Sequence, residues 1–155
     1  MELNKDFREF VELLNEHGVK YLIIGGYAVN FYGYPWYTKD IDFWVWLTKE
    51  NALVAIEVIK KFGFSNLKIG IEDFLNPENI IQLGYEPYRI DILMDVKGSN
   101  FEDCYEKRTT AILDETTVNF LSLEDLIQVK KDAGRLQDLA DAEQLEKIKN
   151  KNVWQ

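Results

Sequence analysis

The chain has 155 residues, 46% of them hydrophobic and 29% charged, with a formal net charge of -9. This composition excludes a disordered chain, and the acidic excess excludes bulk nucleic-acid binding, because a polyanion is repelled unless a local basic patch captures it. No apolar run approaches the roughly 18 residues that a membrane-spanning helix needs, so no membrane partner is expected. Cys104 and His17 are the single cysteine and the single histidine. An internal disulfide, a Cys/His zinc site and a histidine-based nucleophilic triad are thereby excluded, and an unpaired thiol fits a reducing cytoplasm. The length suits one domain over 1–155, with a core of about 1–120 and a C-terminal helical part of about 121–149.

In chain order, Asn4 or Asp6 can cap a first helix in which Phe7, Phe10, Val11, Leu13 and Leu14 recur at helical spacing, up to His17-Gly18. Val19 to Ile24 is short, apolar and rich in branched residues, which predicts a buried strand. It stops on Gly25-Gly26, after which Tyr27, Ala28, Phe31 and Tyr32 predict a short helix that Gly33 and Pro35 end. Ile41 to Leu47 reads as a second strand with Asp40, Asp42, Trp44 and Trp46 on one face and Ile41, Phe43, Val45 and Leu47 on the other. Thr48 can cap a helix through Leu53, Val54, Ile56, Val58 and Ile59, ending at Phe62-Gly63-Phe64. Residues 65–79 read as an irregular, functional or mobile loop.

Ile80 to Gly84 and Tyr88 to Asp95 predict a hairpin, Phe101 to Arg108 a short helix, and Ala111 to Phe120 a second hairpin. Ser122 and Asp125 have capping-box spacing before two helices that run to about Lys149, with a frayed tail after it. Strands alternate with helices early and pair as hairpins later, so the fold class is α/β (α+β), a mixed β-sheet flanked by helices.

Chemistry concentrates at two places. Gly25-Gly26 lets backbone N–H groups approach an anion closely, with the following helix aimed at the same spot. Strand periodicity sets Asp40 and Asp42 on one face with Cα atoms roughly 6.5–7 Å apart, close enough to share a hard cation. Asp91 interrupts Ile90-Asp91-Ile92-Leu93, where a charge is costly without a partner or a metal. If its strand lies beside that of Asp40 and Asp42, the three carboxylates form one cluster, whose mutual repulsion itself predicts Mg²⁺ or Mn²⁺. Trp36, Tyr37, Trp44 and Trp46 can stack a base, although aromatics on strands are more often core.

Gly25-Gly26, Asp40-x-Asp42 and the later Asp91 together resemble the nucleotidyltransferase superfamily, in its small, minimal, toxin-like bacterial and archaeal branch (AbiEii-type or related). Phe101-x-x-Cys104, Arg108, the segment Leu121 to Ile127, Lys130, Gly134-Arg135 and Gln137 to Asp141 are similar to that branch's C-terminal pattern, so the resemblance covers most of the chain. It implies a polymerase-beta-like fold with C-terminal helices, and transfer of a nucleoside monophosphate from an NTP to a hydroxyl acceptor with release of pyrophosphate. It further implies two Mg²⁺ or Mn²⁺ ions at Asp40, Asp42 and Asp91, the first two binding both ions and Asp91 activating the acceptor as metal ligand or base. The glycine turn would hold the triphosphate. Members of the branch often carry Arg in the turn before the Asp pair, where this chain has Trp36, and a basic residue near Gln137. Phosphate contacts are therefore expected from Gly25, Gly26, Thr38, Lys39, Lys130 and Arg135. The alternative is a weak or inactive relative, a nucleotide-binding or toxin–antitoxin-type interaction module, with a partner protein or a second copy of the chain as partner.

Overall fold

The computed structural model describes residues 3–34, 38–85 and 88–153. Trp36 and Tyr37, the expected site of a missing arginine and of base stacking, lie outside the described residues. The described elements run α1 (Lys5–Glu16), β1 (Tyr21–Ile24), α2 (Gly25–Phe31), β2 (Ile41–Val45), α3 (Lys49–Ile59), α4 (Ile71–Leu75), β3 (Ile80–Leu83) and β4 (Ile90–Leu93). They continue with α5 (Phe101–Glu106), β5 (Thr109–Leu113), β6 (Thr116–Phe120), α6 (Leu123–Ala133) and α7 (Leu136–Val153). A wider, π-type turn over Lys60–Phe64 closes α3.

Six strands form one mixed sheet in the order β3-β4-β2-β1-β6-β5. β2 is parallel to β4 and β1 to β6, while the remaining neighbours are antiparallel. The strand sequences follow from these places. β1 lies near the middle and all four of its residues are buried, which is why it reads as a continuous apolar run. Edge strand β3 buries Ile81 and Leu83 and exposes Ile80 and Gln82, the alternation of a strand covered on one side. On one face Phe10 of α1 meets Phe43 edge-on at 5.3 Å, and Tyr21 meets the same ring at 5.7 Å. On the other, Trp44 is buried against Phe101 of α5 at 5.2 Å, and Trp46 stacks on the same phenyl ring. Trp44 is therefore core, beyond the aspartates on their own face.

The caps fall where the sequence places them. Asn4 accepts from Asp6 N, Thr48 from Asn51 N and Ser122 from Asp125 N. Both hairpins form as expected. Several boundaries differ. Only Tyr21–Ile24 and Ile41–Val45 of the two apolar runs pair as strands. Residues 65–79 contain α4, which buries Phe74 and closes its first turn with a bond from Gly70 N to the Asp73 carboxylate; one and a half turns are too short to show a period. α7 continues to Val153 instead of fraying after Lys149. Finally, α2 begins on the glycines themselves, with Gly25 in the left-handed region at φ 69°.

Candidate active site

The parallel pairing of β2 with β4 sets Asp42 directly opposite Asp91, and Ile41 opposite Ile90. The ladder extends one residue further, where Ile41 N donates to Arg89 O at 3.0 Å. Strand alternation then turns Asp40, Asp42, Arg89 and Asp91 to the same side. Three carboxylates thus meet at one end of the sheet, as the spacing in the sequence required if these strands were neighbours.

The Arg89 guanidinium sits among them. Its Nε donates to Asp91 Oδ1 at 2.7 Å and an Nη to Asp91 Oδ2 at 3.1 Å, a two-pronged pairing. An Nη also lies 3.1 Å from Asp40 Oδ2. Asp91 is buried, with 7% of its surface exposed. Asp40 Oδ1 is buried too and has no hydrogen-bond partner. Asp42 carries the electrostatic strain of the arrangement: its carboxyl is pushed up to about 7, first by desolvation, then by the charges of Asp91 and Asp40, against relief from Arg89 and Lys130.

On the β1 side, Asp42 pairs with Ile24, the residue before the glycine turn. A Cβ built on Gly25 would collide with the Asp42 carboxylate. Glycine is required here twice, for the left-handed backbone and for the approach of that side chain. The turn and the acidic cluster are therefore one structural unit.

All donors at the cluster are carboxylate oxygens, the chemistry of a hard divalent cation. The Asp40 oxygen without a hydrogen-bond partner, and the Asp42 carboxyl raised first by desolvation and then by the neighbouring carboxylates, are both groups that such an ion would relieve. By donor type and charge these residues fit Mg²⁺ or Mn²⁺. Among the described residues no group of three is already arranged as a ligand set, and Arg89 stands between two of its members. Three surface clefts, of about 270, 100 and 410 Å³, have linings that include none of the three aspartates. The chemistry of the cluster outweighs the concavity of those clefts in choosing the site.

Residues 3–154 match the family described as "Nucleotidyl transferase of unknown function (DUF2204)". The chain belongs to this family. Among solved structures it is similar to the lincosamide antibiotic adenylyltransferase LnuA in its lincomycin-bound form, with 17% identity, a TM-score of 0.61, and 95% of this chain and 98% of that one covered. It is also similar to a putative nucleotidyltransferase from Thermotoga maritima, with 18% identity, a TM-score of 0.62, and coverage of 94% and 91%. An antigenic nucleotidyltransferase-like protein from Paracoccidioides brasiliensis follows, at 15% identity and a TM-score of 0.55, covering 96% of this chain and 78% of that one. At these identities the likeness shows the nucleotidyltransferase fold. No curated protein matches the chain.

The remaining residues expected at a nucleotidyltransferase site divide. Thr38 spends its hydroxyl locally, donating to Asp40 O at 2.9 Å just ahead of β2. Lys39 is exposed beside Asp40. Lys130 of α6 is mostly covered and its charge reaches Asp42. Its ammonium is 3.1 Å from Asp141 and 3.5 Å from Asp138, both buried on α7. Arg135 pairs with Asp138 at 2.6 Å and its side chain is 81% exposed. Sequence reasoning missed Arg89 as a member of the cluster and Asp138 and Asp141 as the partners of Lys130. A signal for Arg89 was present: it precedes Asp91 by two residues in a predicted strand, the spacing that puts two side chains on one face.

Proposed function

We propose that this chain is a metal-dependent nucleotidyltransferase, moving a nucleoside monophosphate from an NTP to a hydroxyl acceptor with release of pyrophosphate. The observation that carries the reading is the register that sets Asp42 opposite Asp91, with Asp40 on the same face, in a chain whose family match spans nearly its whole length. Asp40, Asp42 and Asp91 would hold two Mg²⁺ or Mn²⁺ ions. Such ions, when bound, neutralise charge on the transferring phosphate and orient attacking and leaving oxygens.

Each residue has a distinct task in this reading. Asp40 and Asp42, two residues apart on one face of a strand, would be the ligands shared by the ions. Asp91 faces the acceptor, as ligand or as the base that takes its hydroxyl proton. The Gly25-Gly26 turn, packed on Asp42, would receive the triphosphate, and Thr38 and Lys39, just ahead of β2, would add contacts to it. Lys130 contributes positive field from α6, and Arg135 lies farther out on the same helical hairpin. A small hydroxylated molecule, a protein or an RNA fits as acceptor class; the lincomycin-bound likeness favours the first. The buried free thiol of Cys104 supports a reducing cytoplasm as the working compartment.

Isothermal titration of MgATP and MgCTP into wild type and Asp42→Ala tests the reading. Binding that the substitution abolishes supports it. Incubation with labelled NTPs and a cell extract should then give a labelled product with wild type, lowered about a thousandfold or more in Asp42→Ala. Nucleotide binding indifferent to the substitution, with no product from any NTP, would favour the second reading, a nucleotide-binding or toxin–antitoxin-type interaction module, which the Arg89 ion pairs at the acidic cluster support.

A further inference from the structure

We infer that Arg89 is a positioning residue whose guanidinium holds Asp40 and Asp91 in the metal-free protein in place of a shared cation, so that a divalent ion binds by displacing it. The inference rests on the proposal that these carboxylates bind Mg²⁺ or Mn²⁺.

Three observations carry it. The backbone bond from Ile41 N to Arg89 O and the register of the next residues place Arg89 opposite Asp40 and two residues before Asp91 on one side of β4. The side chain is therefore delivered to the cluster by the sheet and not by a flexible loop. A single guanidinium then contacts carboxylates on two different strands, at 2.7 and 3.1 Å on Asp91 and 3.1 Å on Asp40. That is the relation a bridging cation has to its ligands. Finally, the neutralisation is incomplete, since one buried Asp40 oxygen has no hydrogen-bond partner.

The exchange is physically reasonable in both directions. A guanidinium is weakly hydrated and permanently charged, so it can hold two carboxylates without competing protonation. The Arg89 side chain is 26% exposed, which leaves it a route toward solvent when a doubly charged ion takes its place. While it stays, its positive charge opposes any cation approaching Asp40 and Asp91.

The test uses the full chain without nucleotide. Free Mn²⁺ is followed by its electron paramagnetic resonance signal for wild type, Arg89→Gln and Arg89→Lys. Arg89→Gln should bind Mn²⁺ about tenfold tighter or more than wild type, and Arg89→Lys, which keeps a charge but loses the fork, should fall between them. The chain has four arginines, Arg8, Arg89, Arg108 and Arg135, so the Nε–H signal of Arg89 is separable by NMR. It should move as Mg²⁺ is added to wild type while that of Arg135 stays. Wild type that binds Mn²⁺ with Arg89→Gln equal or weaker, or with the Arg89 signal unmoved, overturns this inference and leaves the metal site standing. If Arg89→Gln does not fold, Arg89→Lys and the wild-type NMR titration decide alone. No Mn²⁺ binding by wild type or either variant overturns the metal reading of the three aspartates, and the inference falls with it.

Discussion

Where α6 meets α7, Lys130 and Arg135 face Asp138 and Asp141; at the end of the sheet, Arg89 faces Asp40, Asp42 and Asp91. Both groups are partly or wholly buried and both use short charged contacts. In the helical pair, cations and carboxylates balance in number, and Asp138 is held below the usual carboxylate range, first by its hydrogen bond from Arg135. In the strand cluster three carboxylates meet one guanidinium, and Asp42 is pushed up to about 7. The helical group is an ion-pair network that joins two helices. Among the described residues the strand group sets three carboxylates against Arg89 and the field of Lys130, an imbalance that makes it the candidate site.

The contrast can be broken by removing one carboxylate from each side. Asp141 has no exposed surface and lies 3.1 Å from Lys130. Asp141→Ala leaves a covered ammonium short of a partner and should cost on the order of 3–5 kcal/mol in urea denaturation, with no dependence on Mg²⁺. A loss below about 1 kcal/mol would mean the network is not what joins the helices.

Asp42→Asn should do the opposite. Folded Asp42 keeps its proton up to about pH 7, whereas the unfolded chain releases it near the ordinary value of 3.8. Between those values the folded state binds more protons, so stability falls as pH rises from about 4 to 7 and levels off above. Asn removes this dependence and should stabilise the metal-free protein at pH 8 by an amount on the order of a few kcal/mol. Thermal unfolding at pH 5 and pH 8 checks it; a wild type and variant that change in parallel would refute the raised carboxyl.

Gly25→Ala sharpens the geometry of the strand cluster. A methyl group there meets the Asp42 carboxylate and a left-handed backbone, and should destabilise by about 1–3 kcal/mol. Part of that cost should vanish in the Asp42→Ala background, because one of its two causes is the Asp42 side chain; strictly additive effects would deny the contact. The smallest expected effect belongs to Arg135→Ala, under about 1 kcal/mol by chemical denaturation, since its side chain is 81% exposed and solvent screens its pair.

Much of this molecule is legible in its sequence. Caps at Asn4, Thr48 and Ser122, both hairpins and the buried first strand follow from local pattern, because each depends on residues within one turn or one strand. The conflict between Asp91 and its apolar neighbours makes it a candidate for the same reason. α4 escaped because five residues carry no periodicity, and the role of Gly25 as the first residue of α2 escaped because a glycine pair reads equally as a turn. Lys130 and Arg135 read as phosphate ligands from a resemblance, but their buried partners Asp138 and Asp141 appear only once α7 folds back on α6.

By itself, the sequence determined that three aspartates at strand positions would need a cation if they met, since side-chain period and desolvation are local properties. Whether they met was decided by tertiary structure. β2 and β4 are separated in the chain by α3, α4 and β3, and only their parallel pairing puts Asp42 beside Asp91 and carries Arg89 in with them. A register is a relation between distant segments, fixed by how the whole sheet buries its apolar faces, and no window of sequence contains it.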